Sequence, residues 1–172
     1  DGLIPMHLPA FLFAPGVPSS RWFANQFFQR GVPVAPLDGT HCLIPEGSEL
    51  KEYKTTRELR QHILDLSKAG EIKCIMNRFV LREAVDMPWL YHGITATVFG
   101  SVTTALQVVG RLQRKWPAYT HKILQDHGGI FWRHGDPNED REWKLGDTAK
   151  QYSLDRVKKI QSGEIPEGIR CP

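Results

Sequence analysis

Short apolar runs separated by amphipathic segments occupy the first three quarters of the chain. The run over residues 9–14 lies between a proline and a glycine, which is the pattern of a buried strand. Similar runs over residues 32–37, 72–76, 94–99 and 121–125 predict four further strands. Because short, continuously apolar strands are typical of sheets covered on both faces, the pattern predicts a parallel sheet.

Helical periodicity fills most of the connections between these strands. Residues 19–30 carry an apolar stripe and begin with two serines that can cap a helix. Residues 55–69 open with a capping box and stop before a glycine, and residues 104–114 and 154–161 predict two more helices. The alternation of strand and helix predicts an α/β fold in which helices flank a parallel sheet on both faces.

Two regions lack a clear period. Residues 38–54 predict a loop. Pro33 and Pro36 predict that the second strand either lies at the sheet edge or is irregular, because proline cannot donate to a ladder. The sequence after the fifth predicted strand is polar and rich in turn residues. We therefore expect a domain core over residues 1–127 and a C-terminal extension over residues 128–172.

Composition limits the class of protein. A chain of 172 residues with 41% hydrophobic and 24% charged residues suits one folded globular domain. The net charge of +3 is compatible with a polyanionic partner but does not require one. Three widely spaced cysteines fit a reducing compartment, and no apolar run is long enough for a bilayer, so we expect a cytoplasmic protein without a membrane partner. The first residue is Asp1, which suggests a piece of a longer chain.

The segment ALQVVGRLQR has the strongest chemical pattern. On a helix, Gln107, Arg111 and Arg114 share one face through their i, i+4, i+7 spacing. Two guanidinium groups beside a carboxamide suit phosphate oxygens, since arginine binds them bidentately. Gly110 allows another backbone to approach, at a helix-propensity cost of about 1 kcal/mol. Taken alone, the same residues fit a solvated basic helix face equally well.

Two loop segments carry further candidates. Asp86 precedes Met87-Pro88, and its carboxylate can accept a hydrogen bond from a ribose hydroxyl or pair with an arginine of the ALQVVGRLQR segment. A turn cap or a pair with Arg82 explains Asp86 as well. Thr40 ends a Leu-Asp-Gly-Thr turn, where its hydroxyl and the backbone amides can hold a nucleic-acid phosphate, although the segment is first of all a turn.

Several motifs are absent from the sequence. It contains no GxxxxGK phosphate loop, no GxGxxG after a strand and no Asp-Glu pair at a strand end to hold Mg²⁺. The histidines lack metal-site spacing, so we predict no metal within the chain. Cys171-Pro172 resembles the start of a zinc knuckle, and a zinc ribbon would have to be completed beyond this chain.

Three segments in order resemble motifs IV, V and VI of superfamily 2 helicases, in the DEAD/DEAH-type branch of bacteria and phages. They are FLFAPGVPSSRWFANQFFQRG, GEIKCIMNRFVLREAVDMP and ALQVVGRLQR. The resemblance covers about residues 9–147. It departs from the family at Ala84, where motif V usually has glycine, and in GRLQR, which replaces the familiar GRGLR.

The resemblance implies a RecA-like C-terminal helicase domain that shares an ATP site with an N-terminal RecA-like domain of the same polypeptide. That partner domain would carry the phosphate loop and hold Mg²⁺. Arg111 and Arg114 resemble arginine fingers that reach the triphosphate. Gln107, Gly110 and Asp86 resemble further nucleotide-binding positions.

The resemblance also implies a DNA or RNA partner. Thr40 and Asn77 resemble positions close to the nucleic-acid backbone. The expected activity is ATP hydrolysis coupled to movement on nucleic acid, and this chain alone should be inactive. Two other interpretations remain open: a stand-alone nucleic-acid-binding module on a Rossmann-like scaffold, and a nucleotide- or sugar-transferring enzyme with the same sheet.

Overall fold

The computed structural model describes residues 8–77, 86–141 and 149–164. In chain order the elements are β1 (Ala10–Phe13), α1 (Val17–Phe28), β2 (Val34–Leu37), β3 (His41–Glu46), β4 (Glu49–Lys54), α2 (Arg57–Ala69), β5 (Cys74–Asn77), β6 (His92–Thr95), α3 (Val102–Leu112), β7 (Ile123–Asp126), α4 (Ile130–His134) and α5 (Ala149–Gln161). Cys171, Arg82 and Ala84, which the sequence singled out, lie outside the described residues.

Within the described part of the chain, seven strands form one sheet in the order β4-β3-β2-β5-β1-β6-β7. The five strands from β2 to β7 in this order pair in parallel. The hairpin of β3 and β4 extends the sheet with antiparallel pairing at one edge. The predicted α/β fold with a parallel sheet is therefore confirmed for these five strands, and the antiparallel hairpin was not predicted.

The apolar core has two layers because β1 alternates its side chains between the two faces of the sheet. Phe11 and Phe13 contribute to the layer that α2 and α3 cover, and Ala10 and Leu12 contribute to the layer that α1 covers. All residues of β1, β2, β5 and β6 are buried. Helices on both faces explain why these strands are mainly apolar and do not alternate between apolar and polar residues.

Local capping sets the ends of α2. The hydroxyl of Thr56 accepts a hydrogen bond from the amide of Leu59 at 3.1 Å, and Gly70 ends the helix in the left-handed region at φ 81°. The cap at the start of α1 was predicted wrongly. Its N-cap is Gly16, without a side-chain hydrogen bond, and Pro18 in the first turn supplies a fixed φ.

The prediction of a loop over residues 38–54 is wrong, since β3 and β4 form a hairpin there. All but one residue of β4 are exposed, so its sequence shows no buried stripe. The prediction that β2 lies at the sheet edge is also wrong, because β2 pairs with β5 on one side and β3 on the other. Pro36 is accommodated because β3 pairs with β2 only at Leu37 and Cys42.

The segment after β7 folds against α3. The short helix α4 and the helix α5 contact each other, and both contact α3. The sequence predicted a helix over residues 154–161 and missed α4. No helix among the described residues has the length and apolar character needed to cross a membrane.

Replacing Thr56 with alanine should lower the free energy of unfolding by about 1 kcal/mol, because the amide of Leu59 loses its acceptor at the start of α2. Urea denaturation measures the change. Thr56→Ser keeps the hydroxyl and serves as the matched control. Equal stability of the alanine and serine variants would contradict the capping role.

Candidate functional site

The carboxyl ends of β2 and β5 place the two predicted nucleic-acid residues at the same edge of the sheet. Leu37, the last residue of β2, pairs with Asn77, the last residue of β5. Asn77 is fully buried, and its carbonyl oxygen accepts a hydrogen bond from the amide of Ala14 at 2.9 Å. Thr40 is exposed in the turn that follows β2. Open α/β sheets bind ligands at this edge.

The turn after β2 is organised by Asp38. Its Oδ1 atom accepts hydrogen bonds from the amides of Thr40 and His41, both at 2.7 Å, and from the hydroxyl of Thr40 at 2.8 Å. Arg21 of α1 lies 4.0 Å from the second carboxylate oxygen. Asp38 therefore fixes the position and the hydroxyl direction of Thr40.

The same contacts keep Asp38 ionised. Burial raises the pKa of Asp38, but the hydrogen bonds from His41 and Thr40 and the charge of Arg21 outweigh it. The net result is a pKa below the ordinary value of 3.8. The turn is thus most rigid with a charged carboxylate at its centre.

Helix α3 carries most of the predicted nucleotide-binding residues. Its N-cap is Ser101, at the end of the connection from β6. The hydroxyl of Ser101 accepts a hydrogen bond from the amide of Thr104 at 3.3 Å. Gln107 and Gly110 are exposed on this helix. A side chain added at Gly110 would meet no atom of the described residues within 4 Å, so none of these residues covers this surface of α3.

Arg111 and Arg114 occupy different environments. Arg111 is half-buried in the last turn of α3 and lines a small apolar cavity with Val108 and Leu124. Arg114 is exposed and lies beyond the helix, which ends at Leu112. The predicted helix, residues 104–114, was therefore displaced by two residues toward the C-terminus, and only Gln107 and Arg111 share a face of α3 itself.

Asp86 forms an ion pair with Arg114. This is one of the two pairings that the sequence left open for Asp86, and it joins the predicted motif V acid to the predicted motif VI arginine. The side chains are 68% and 45% exposed, so the pair contributes only about 0–1 kcal/mol. Lys122 donates to the carbonyl of Pro88 at 2.6 Å and ties the same two connections together.

The site residues fall into two groups. Thr40 and Asn77 lie at the carboxyl ends of the strands, whereas Asp86 precedes β6 and Arg114 lies between α3 and β7. Helix α3 begins beyond the carboxyl end of β6 and ends before the amino end of β7. The nucleotide-binding candidates at its end therefore lie near the amino ends of the strands, whereas the nucleic-acid candidates lie near the carboxyl ends.

Sequence inspection missed a hydrogen-bonded cluster at the carboxyl ends of β6 and β7. Asp126 accepts from the hydroxyl of Thr95 at 2.9 Å, and His134 contacts the carbonyl of Phe99 at 2.9 Å. The Asp-His-Gly-Gly turn after β7 was the available signal, but polar turn residues usually indicate an exposed loop. No group of three or more potential metal-ligating side chains occurs among the described residues.

The fold is that of the C-terminal domains of DEAD-box and superfamily 2 helicases. The C-terminal domain of the DEAD-box protein Dbp5 superposes with a TM-score of 0.55 at 16% identity, covering 95% of this chain and 74% of that one. The Mycobacterium smegmatis helicase Lhr, bound to ssDNA and AMP-PNP, gives 0.53 at 16% identity over 96% of this chain and 18% of Lhr. Domain 2 of the DEAD-box helicase Mss116p, bound to an RNA duplex, gives 0.51 at 16% identity over 70% of this chain and 42% of that one.

A sequence relative comes from a phage. The chain is 24% identical over 166 residues to a 51.5 kDa protein of a Lactococcus phage (isolate 7-9). The match covers 95% of this chain and 31% of the phage protein, so the chain spans about a third of its relative. No family model matches the sequence.

The Asp38 turn predicts an acid-dependent loss of stability. Because the pKa of Asp38 is lower in the folded than in the unfolded chain, its ionised form stabilises the fold above about pH 3.8, and this stabilisation is lost as the pH falls through the folded-state pKa. The stability difference between wild type and Asp38→Asn should be largest at pH 6 and shrink by pH 3. Chemical denaturation at both values tests this, with Asp65→Asn on exposed α2 as control; a difference independent of pH would contradict it.

Proposed function

We propose that the chain is the C-terminal motor domain of an ATP-dependent nucleic-acid helicase or translocase. It would supply Arg111 and Arg114 to ATP held mainly by an N-terminal RecA-like domain of the same polypeptide. The observation that carries the proposal is the surface of α3 that no described residue covers at Gly110. Gln107 and Gly110 are exposed there, Arg111 lies in the last turn of the helix, and Arg114 follows the helix. The helicase C-terminal fold supports it.

The chemistry of this surface suits a triphosphate. Guanidinium groups bind phosphate oxygens through two parallel N–H donors, and the carboxamide of Gln107 adds a further donor. Arg111 is half-buried beside the cavity that Val108 also lines, so its side chain has fewer conformations open to it than a fully exposed arginine. A restricted arginine loses less conformational entropy on binding, which favours contacts that form only in the transition state.

Unlike Arg111, Arg114 must leave an ion pair with Asp86 before it can bind a phosphate. The pair is exposed and weak, so a phosphate can replace the carboxylate as the partner of Arg114 at little cost. The freed carboxylate of Asp86 is then an acceptor for a ribose hydroxyl. Asp86 would therefore hold Arg114 in place without nucleotide and contact the sugar with it.

The carboxyl edge would contact the nucleic-acid backbone. Thr40 is the exposed candidate, although its hydroxyl proton is directed to Asp38 and must turn toward a phosphate to donate to it. Asn77 is buried, so we assign it to supporting the end of β5 beside this contact. Backbone contacts of this kind carry affinity and little sequence preference.

The proposed cofactor is ATP. Hydrolysis of its terminal phosphate bond would drive the motor, and the N-terminal domain would hold Mg²⁺. The residues present fit a completing role, because the exposed end of α3 offers donors for phosphate but the chain contains no phosphate loop. The chain alone should therefore show no ATPase activity. We also propose that residues 1–127 form the RecA-like core and residues 128–172 an extension of it.

Replacing Arg111 with alanine in the longest natural polypeptide that carries this chain should lower nucleic-acid-stimulated ATP turnover by about 10³- to 10⁵-fold, as for other arginine fingers. Steady-state kcat measurements test this. Arg30→Ala removes an exposed arginine whose guanidinium donates to the carbonyl of Gln26 at the end of α1, and it is the matched control. Wild-type turnover in Arg111→Ala would remove the finger assignment.

A stand-alone nucleic-acid-binding module is the second candidate, favoured only by the basic residues at the end of α3. It predicts that this chain binds single strands tightly by itself, with log K falling against log salt at a slope of about −0.7 per phosphate contacted. The motor-domain proposal predicts weak binding by the isolated chain and ATPase activity only with the partner domain. Fluorescence anisotropy over a salt series, alongside an ATPase assay, decides between them.

A further inference from the structure

The connection between β6 and α3, residues 96–101, is held by the end of β7 and the segment that follows it. Asp126, the last residue of β7, binds Thr95 directly before the connection, and Gly128 and His134 contact the connection itself. We refer to these three residues as the clamp. None of them belongs to the predicted nucleotide or nucleic-acid residues. Gly128 and His134 contact the connection that leads into α3, and Asp126 holds the residue before the connection and the turn that carries Gly128.

Asp126 joins the ends of β6 and β7. Its Oδ1 atom accepts from the hydroxyl of Thr95 at 2.9 Å and from the amide of Gly128 at 3.1 Å. Its Oδ2 atom accepts from the amide of Phe131 at 3.1 Å, in the first turn of α4. One carboxylate therefore fixes both the last residue of β6 and the turn that packs on the connection.

Gly128 packs directly on the connection. A Cβ atom at this position would lie 1.9 Å from the carbonyl oxygen of Thr97 and 2.7 Å from its carbonyl carbon. The obstructing atoms are backbone and not the end of a flexible side chain, so any larger residue must displace one of the two loops. The amide of His127 also donates to the carbonyl of Thr95 at 2.9 Å.

His134 satisfies a buried carbonyl of the connection. Its Nε2 atom lies 2.9 Å from the carbonyl oxygen of Phe99, and the ring is 2% exposed. Because a carbonyl only accepts, Nε2 must carry the proton. Burial lowers the pKa of His134, which favours the neutral ring. The last residues before Ser101, the N-cap of α3, are thus fixed from the side of α4.

We propose that the clamp positions α3 and, through it, Arg111 for the reaction. The inference rests on the proposed motor function and adds to it a set of positioning residues that do not touch the nucleotide. An α-helix transmits an axial or rotational displacement along its length, so moving the connection at Ser101 moves Arg111 in the last turn of α3. A displacement of about 1 Å at a catalytic group can lower the rate on the order of 10²-fold.

The main test compares Gly128→Ala with Gly100→Ala. Both substitutions add one methyl group at the connection, but a Cβ at Gly100 meets no described atom within 4 Å. In the longest natural polypeptide that carries this chain, Gly128→Ala should lower kcat for nucleic-acid-stimulated ATP hydrolysis by about 10²-fold with KM for ATP nearly unchanged. Gly100→Ala should keep the wild-type kcat. Equal kcat in the two variants would overturn the proposal.

A double-mutant cycle tests whether the clamp acts through the arginine. In an Arg111→Ala background, Gly128→Ala should cause little further loss of kcat, since there is no finger left to misplace. Full additivity of the two losses would overturn positioning. A wild-type kcat in Arg111→Ala removes the finger assignment and the clamp with it. A lowered kcat in Arg111→Ala with a wild-type kcat in Gly128→Ala overturns the clamp alone.

A second pair of variants keeps the test valid if Gly128→Ala fails to fold. Asp126→Asn retains the Oδ1 acceptor for Thr95 and Gly128, but its amide nitrogen cannot accept from Phe131. Asp126→Ala removes both carboxylate oxygens and with them all three hydrogen bonds. We expect Asp126→Asn to restore most of the kcat lost in Asp126→Ala, and an asparagine variant as slow as the alanine variant would contradict the proposal.

Hydrogen exchange on this chain gives a readout without activity. In Gly128→Ala, amides of α3 as far as Gln113, which bonds to the carbonyl of Val109, should exchange faster than in Gly100→Ala. Unchanged exchange across α3 in a folded Gly128→Ala chain would show that the connection does not control the helix, and the proposal would fall.

Discussion

Burial of the central strands on both faces is the constraint on which the rest of the structure depends. In β1, β2, β5 and β6 every residue is buried, so the side chains on both faces are mainly apolar. Polar groups are left to the strand ends, where Asn77 and Thr95 are the last residues of their strands. The candidate site residues therefore lie near the carboxyl ends or the amino ends of the strands and not along their middle.

Helix α3 runs from the carboxyl ends of the strands to their amino ends. Its 11 residues span about 16 Å, from the connection after β6 to the arginines before β7. Its inner face, including Val108 and Leu112, packs closely in the core, so the helix moves as one unit and does not bend along its length. A displacement at one end of the helix is for this reason transmitted to its other end. The proposed coupling of nucleic-acid binding to ATP hydrolysis requires such transmission.

The sequence was sufficient for the parts of the fold that repeat a simple period. Five parallel strands and the helices between them follow from apolar runs and stripes, and the ordered motifs identified the helicase-like fold. The hairpin escaped because β4 is exposed at the sheet edge, and Pro36 was misjudged because β3 pairs with β2 at one position only. The pairing of Asp86 with Arg114 was one of several open pairings, since sequence spacing cannot choose a partner across the fold. The roles assigned to the site residues stay predictions.

The clamp escaped for a more general reason. A polar, glycine-rich segment predicts an exposed loop, yet Gly128 and His134 are buried because the connection they hold has carbonyl groups that need donors away from water. Burying a backbone turn requires a side chain that supplies a proton and a residue small enough to let two backbones meet. A neutral histidine and a glycine meet these two needs at Phe99 and Thr97. Residues of this kind, which look like loop in sequence, can thus set the geometry of a helix whose chemistry lies at its other end.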